Sequence, residues 1–216
     1  MKEYILFDLD GTLTDPGLGI TNSVIYALKK FNITPPKNEE LYTFIGPPLM
    51  ESFQKYYGMT KEQSVTAVEY YREYYVPTGM FENAVYEGID EMLKTLTDMG
   101  KKVFLATSKP EVFAIKILEH YDLKKYFTFI GGSTLDETRV NKDEVIAYVL
   151  ENIPEKDHSK LIMVGDRHHD ITGSVKNDLE SIGVLFGYGD REELHDAGAT
   201  YIAENVAQLR DLLISL

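Results

Sequence analysis

Four short stretches of this 216-residue chain gather residue types suited to chemistry on an anion. The first is Asp8-Leu9-Asp10-Gly11-Thr12, directly after the apolar run Tyr4–Phe7. Two carboxylates one residue apart are unfavourable unless a cation or a proton is shared between them, and Gly11 permits a sharp departure of the backbone. Read alone, the stretch is also an ordinary acidic turn. The second is Thr107-Ser108-Lys109-Pro110, after Val103–Ala106. Pro110 suits the first turn of a helix with Thr107 or Ser108 as its cap, where free amides and hydroxyls can receive an anion. The third runs through Gly131-Gly132-Ser133 to Arg139 and Asn141-Lys142. Asn141 with Glu144 reads as a cap and its reciprocal acid, which puts Lys142 in a first helical turn. A cation is unfavourable there, so Lys142 suggests an anionic partner, a solvated lysine being the plain alternative. The fourth is Gly165-Asp166-Arg167-His168-His169-Asp170. Two Asp four apart at a strand end and a helix start suit a hard cation such as Mg²⁺. His168 and His169 are neighbours that point apart, and they read as rim or solvent residues rather than ligands.

Each stretch follows a short apolar run. Tyr4–Phe7, Val103–Ala106, Phe127–Ile130, Leu161–Val164 and Ile182–Phe186 are expected as buried strands, with Tyr201–Ile202 as a short sixth. Amphipathic segments lie between most of them: Glu91–Met99, Val112–Tyr121, Lys142–Glu151, Ile171–Asn177 and Glu192–Ala197, with Val206–Leu216 closing the chain. This alternation predicts an α/β protein with a parallel sheet covered on both faces, in which ligands bind at the carboxyl ends of strands. The gap between the first two strands is far longer than one crossover needs. Within it Ile20–Phe31, Glu39–Phe44, Leu49–Tyr57 and Lys61–Tyr75 look helical, Thr60 with Gln63 resembles a capping box, and Pro35-Pro36, Pro47-Pro48 and Pro77 punctuate the segments. Residues 16–82 are therefore read as a helical insert in a core formed by 1–15 and 83–216.

Composition bounds the partners. The chain carries 22 Lys+Arg against 35 Asp+Glu, a formal net charge of −13, which argues against nucleic-acid polymers and anionic membrane surfaces. Residues 16–82 contribute only −1 of it. With no cysteine, disulfides, thiolate catalysis and Cys-ligated zinc are excluded. No apolar run approaches the ~20 residues of a membrane helix, and Tyr4–Phe7 is too short for a signal peptide, so the cytoplasm is the expected address. No dinucleotide fingerprint, P-loop or Gly-x-Ser-x-Gly elbow occurs; Gly187-Tyr188-Gly189 lacks the third glycine.

Taken in order, Asp-x-Asp-Gly-Thr, a strand-end Thr/Ser, a Lys and Gly-Asp-x-x-x-Asp resemble the haloacid dehalogenase-like hydrolases of the phosphatase branch, over nearly the whole chain. The resemblance implies a doubly wound parallel sheet of order 3-2-1-4-5, extended by a sixth strand, with an inserted α-helical cap. It implies that Asp8 is the nucleophile that forms an aspartyl-phosphate. Asp10 would be acid for the leaving alcohol and then base for water, and Thr107 and Lys142 would hold the phosphoryl group. Mg²⁺ would sit on Asp8, the Asp10 carbonyl and Asp166, supported by Asp170. Asp10 argues for ester hydrolysis, since the ATPase-like branch carries Thr there and true dehalogenases lack the second Asp. An acid at that position should have a raised pKa.

Ser108 and Lys109 are further candidates for substrate binding, as are Arg139, which could grip a second anionic group or form a surface salt bridge, and Gly46. Phe44-Ile45-Gly46-Pro47-Pro48-Leu49 resembles the substrate-facing loop of phosphoglycolate-phosphatase-like caps, and is otherwise a helix breaker. The insert is counted as rich in rings: Tyr42, Tyr56, Tyr57, Tyr70, Tyr71, Tyr74, Tyr75 and Tyr86 are eight of the 15 tyrosines. Most are read as a small helical core rather than a lid on a base or sugar. The expectation is a Mg²⁺-dependent phosphomonoesterase for a small phosphorylated metabolite, phosphoglycolate first. Nucleoside 5′-monophosphates and pyrophosphate come next. A β-phosphoglucomutase-like transferase, a receiver-like phospho-acceptor and a catalytically dead interaction protein are the alternatives.

Overall fold

The computed structural model describes residues 1–135 and 138–216. In chain order, β1 (Tyr4–Phe7) and β2 (Thr14–Asp15) lead into α1 (Gly17–Lys30), α2 (Leu49–Tyr57) and α3 (Lys61–Tyr75), and β3 (Ala84–Val85) follows. The chain continues through α4 (Ile89–Asp98), β4 (Lys102–Pro110), α5 (Glu111–His120), β5 (Phe127–Ser133), α6 (Lys142–Glu151), β6 (Leu161–Gly165) and α7 (His168–Lys176). It ends with β7 (Glu180–Val184), α8 (Arg191–Asp196), β8 (Tyr201–Ala203) and α9 (Val206–Ser215). The chain divides into two compact units, Met1–Thr14 with Val85–Leu216, and Asp15–Ala84.

The larger unit is built on a six-stranded parallel sheet of order β5-β4-β1-β6-β7-β8. In order of occurrence in this unit these are strands 3-2-1-4-5-6, the order the family resemblance implies. Ile5, Leu6 and Phe7 are all fully buried, and successive strand residues point to opposite faces, so both faces are covered. Register aligns Leu6 with Phe104 and with Met163. These three pack with Val145, Ile146 and Val149 of α6. Each such side chain withdrawn from water contributes about 1.5–3 kcal/mol.

Two strands run longer than the apolar pattern suggests. β4 continues through Thr107-Ser108-Lys109 to Pro110, which pairs with Ser133 across a register shift. Pro110 is therefore the residue that precedes α5 rather than part of its first turn, and neither Thr107 nor Ser108 caps that helix. β5 likewise includes Gly131 and Gly132, beyond the expected strand end at Ile130. Close approach explains them: a Cβ at Gly131 would stand 2.4 Å from Val149 Cγ2, and one at Gly132 2.5 Å from Glu111 Cα.

The smaller unit is helical. Thr60 and Gln63 cap α3 reciprocally, with bonds of 2.9 and 3.2 Å. Asn38–Phe44 is a 3₁₀ helix rather than an α-helix. Tyr71 and Tyr75 are buried and stacked at 5.1 Å, whereas Tyr70 packs on Phe31 and Tyr74 on Tyr26, so most of the rings do build a core. Tyr42 and Tyr56 are exposed. Tyr86, grouped with the insert on sequence, lies in the larger unit against Phe186. Gly46 has φ 104° in the turn between the 3₁₀ helix and α2, a conformation that suits glycine.

Candidate active site

Parallel pairing brings the four motif stretches to one end of the sheet. Phe7 is level with Leu105 and Val164, so Asp8 leaves β1 between β4 and β6. Leu9 to Thr14 then form a tight turn: the amides of Thr12, Leu13 and Thr14 all donate to Leu9 O, and Gly11 sits at φ 83°. At Gly11 a Cβ would lie 2.1 Å from Asp166 Oδ2, so the turn closes on the carboxylate at the end of β6. Thr12 Oγ1 donates to Asp166 Oδ1 at 3.2 Å, and the Tyr188 amide donates to Asp166 Oδ2 at 2.8 Å.

Lys142, the first residue of α6, is the centre of the cluster and is buried. Its Nζ lies 2.7 Å from Asp8 Oδ1 and 2.8 Å from Asp170 Oδ1, and donates to Ala106 O at 3.1 Å. Burial opposes its charge, but Asp170 and Asp8 outweigh burial and push its pKa up. The anionic partners anticipated for a lysine at a helix N-terminus are thus present within the chain itself. Asp170 occupies the first turn of α7, where its Oδ2 accepts the Arg167 amide at 3.0 Å. Burial raises the Asp170 pKa to about 6, against the pull of Lys142. The Asp166 pKa is pushed well above the usual carboxylate range, first by burial and then by Asp170 and Asp8.

Asp10 points to a different cation. Lys109 Nζ pairs with its Oδ2, while Oδ1 is shielded from solvent and has no hydrogen-bond partner among the described residues. The Asp10 pKa is raised; burial is the main cause and Lys109 the main opposing influence. Thr107 is buried, and its Oγ1 accepts the Lys109 amide at 3.2 Å.

Arg139 Nε donates to Gly132 O at 3.0 Å, and its guanidinium covers the Tyr148 ring at 3.6 Å. With Glu111 3.7 Å from the same guanidinium, these contacts hold Arg139 against β5 and α6. Gly46 belongs to the helical unit. The rings of His168 and His169 do not point apart as expected: their centroids lie 3.8 Å apart at the start of α7, tilted by 40°, with His168 Nδ1 2.7 Å from Glu193 Oε1. Sequence reasoning assigned no role to Thr12 or to the Tyr188 amide, which hold the Asp166 carboxylate, and missed Glu193, which binds Arg167 and His168. The glycines flanking Tyr188 were noticed only as an incomplete fingerprint. A Cβ at Gly187 would stand 2.3 Å from Gly11 O, and one at Gly189 2.1 Å from Asp166 O.

The arrangement fits a divalent cation. Asp8, Asp166 and Asp170 each offer a carboxylate oxygen, these atoms lie within 4.8 Å of one another, and all three residues are buried. Three acids at that spacing repel one another, which adds to burial in raising the Asp166 pKa, and an all-oxygen donor set suits a hard ion. No helix among the described residues is long and apolar enough to cross a membrane.

Comparison with known proteins agrees with this geometry. The model of the haloacid dehalogenase-like hydrolase family matches residues 5–184. A 5′-nucleotidase of Pseudomonas aeruginosa is 43% identical over 98% of this chain and 95% of its own. The tyrosine-protein kinase PtkA of Mycobacterium tuberculosis is 33% identical over 97% of this chain and 71% of its own. A phosphoglycolate phosphatase of Vibrio parahaemolyticus is 25% identical over 98% and 96%. A solved structure of a predicted phosphatase from Clostridium acetobutylicum superposes with a TM-score of 0.96, at 47% identity and full coverage of both chains. With an acid pair at the end of the first strand, a buried lysine facing it and a carboxylate cluster beside both, the chain belongs to the haloacid dehalogenase-like hydrolase family, as an enzyme of its phosphatase branch.

Proposed function

We propose that this chain is a Mg²⁺-dependent phosphomonoesterase that works through an aspartyl-phosphate on Asp8, with nucleoside 5′-monophosphates as its substrate class. One observation carries the chemistry: Asp8 Oδ1 is held 2.7 Å from Lys142 Nζ inside a buried carboxylate cluster, with Asp10 two residues on. Asp8 attacks phosphorus, the bond from phosphorus to the ester oxygen breaks, and Asp10 gives its proton to the departing alkoxide. Asp10 then takes a proton from the water that attacks phosphorus, and the bond to Asp8 breaks. The raised pKa of Asp10 supports its role as the acid of the first step. Lys142 supplies positive charge beside Asp8 and the phosphoryl oxygens, and the Thr107 hydroxyl is a further donor. Asp8, Asp166 and Asp170, with the Asp10 carbonyl, would hold the Mg²⁺, which when bound offsets the repulsion between carboxylate and phosphate.

The substrate order follows similarity among the relatives that carry a phosphatase or nucleotidase name. The relative with the nucleotidase name is 43% identical, the phosphoglycolate phosphatase 25%, and this reverses the preference drawn from sequence. Gly46 and the exposed Tyr42 and Tyr56 of the helical unit are candidates for selecting among substrates. The test is phosphate release from a panel of nucleoside monophosphates, phosphoglycolate, pyrophosphate and an aryl phosphate. It is run with Mg²⁺, with EDTA, and with Asp8→Asn. Release that needs both the metal and Asp8, with nucleotides ahead of phosphoglycolate, is the expected result. No metal-dependent release from any substrate would overturn the enzyme assignment.

A further inference from the structure

The segment that carries Asp166 and Asp170 is held from outside by a residue that no motif contains. Glu193 lies in α8, where Asp190 caps the helix by accepting the Glu193 amide at 2.8 Å. A single oxygen, Glu193 Oε1, accepts the His168 amide at 2.9 Å and Arg167 Nε–H at 2.9 Å, and stands 2.7 Å from His168 Nδ1. A carboxylate only accepts, so His168 Nδ1 carries the proton in that contact. Arg167 and His168 lie between the two acids. The Arg167 amide goes to Asp170 while its side chain goes to Glu193, so the same residue faces the metal cluster and α8 at once. A free amide in the first turn of α7 is satisfied from a different element, which fixes where the helix begins and hence where Asp170 points.

From this geometry we propose that Glu193 is a positioning residue: through Arg167 and His168 it fixes Asp166 and Asp170 in the arrangement that receives the divalent cation. The inference rests on the metal-dependent reading above. Glu193 touches no reacting group, so its removal should act on metal affinity rather than on the chemical step. Residues that orient ligands from behind in this way typically change metal affinity by about 10–100-fold.

The experiment measures Mn²⁺ binding directly, from the free-ion paramagnetic resonance signal, for wild type, Glu193→Gln and Glu193→Ala. Phosphate release is titrated with Mg²⁺ in parallel. Glu193→Ala is expected to weaken Mn²⁺ binding by about tenfold or more and to raise the Mg²⁺ activation constant alike, with kcat at saturating metal near wild type. Glu193→Gln should show a smaller shift in the same direction, because its amide oxygen still accepts from His168 and Arg167. If Glu193→Ala does not fold, Glu193→Gln and His168→Ala carry the same reading. Variants that bind Mn²⁺ within twofold of wild type would overturn the inference while the metal reading stands, as would a lowered kcat that saturating metal does not restore. Wild type that takes up no Mn²⁺ would overturn both.

Discussion

At the scale of single residues, Asp8 and Asp170 depend on one shared buried cation. Lys142 neutralises Asp8 and Asp170 from 2.7 and 2.8 Å. Removing one member of a buried ion pair leaves the other charge uncompensated and destabilises by about 3–5 kcal/mol. Lys142→Met should therefore unfold at markedly lower temperature than wild type in EDTA. A divalent cation on the same carboxylates replaces part of the lost charge, so adding Mg²⁺ should raise the melting temperature of Lys142→Met by more than that of wild type. Equal Mg²⁺ shifts for the two proteins would show that Lys142 and the metal do not share these acids. Activity should fall by about 10²–10³-fold even at saturating metal, since a charge beside the reacting oxygens is gone.

At the scale of elements, the carboxylates are held by turns packed too closely for side chains. The turn after β7 is an example: Gly187 sits where a Cβ would strike Gly11 O at 2.3 Å and Asp166 Cβ at 2.4 Å, which lets the Tyr188 amide reach Asp166. Gly187→Ala should push the two turns apart at a cost of about 1–3 kcal/mol and weaken divalent-metal binding. Gly58→Ala is the contrast: no atom lies within 4 Å of its Cβ, and only the φ of +63° opposes it, so about 1–2 kcal/mol of stability and no metal affinity should be lost. Thermal melts and Mn²⁺ titration of both variants check this, and equal metal affinity in Gly187→Ala and wild type would refute it. This difference also marks what sequence could tell. Strand order and the meeting of Asp8, Lys142, Asp166 and Asp170 were legible because each residue follows its own apolar run, and parallel pairing puts the ends of such runs together. The bond from Thr12 to Asp166 was not, because the motif Asp8-Leu9-Asp10-Gly11-Thr12 does not say where the threonine hydroxyl goes until the turn has folded. Tyr188 acts through a backbone amide, which has no sequence signal, and the role of Glu193 exists only once α8 has packed beside α7. The glycines of β5 lie beyond the expected strand for a related reason: a residue without a side chain adds nothing to an apolar run, whereas here it admits α5 and α6 close to the sheet.

At the scale of the whole molecule, the net charge of −13 is at odds with an anionic substrate only until the local charges are paired off. The lysines that looked able to make the pocket positive are already engaged: Lys109 by Asp10, Lys142 by Asp8 and Asp170. Arg167 is engaged by Glu193. Counted as ionised, Asp8, Asp10, Asp166 and Asp170 outnumber Lys109 and Lys142 by two charges, the amount one divalent cation supplies. The metal-free site should therefore repel phosphate. Calorimetric titration with orthophosphate should show binding to wild type in Mg²⁺ and none at millimolar concentration in EDTA. Asp8→Asn removes one of the repelling charges while Lys142 keeps Asp170 as its partner. In EDTA it should bind orthophosphate at least about tenfold more tightly than wild type does, a difference of about 1.4 kcal/mol, well within what one charge contributes a few ångströms away. Wild-type protein that binds phosphate equally with and without metal would mean that the charge balance lies elsewhere. The acidic body around the site would still exclude long polyanions, but metal loading would then not be what admits a small phosphate.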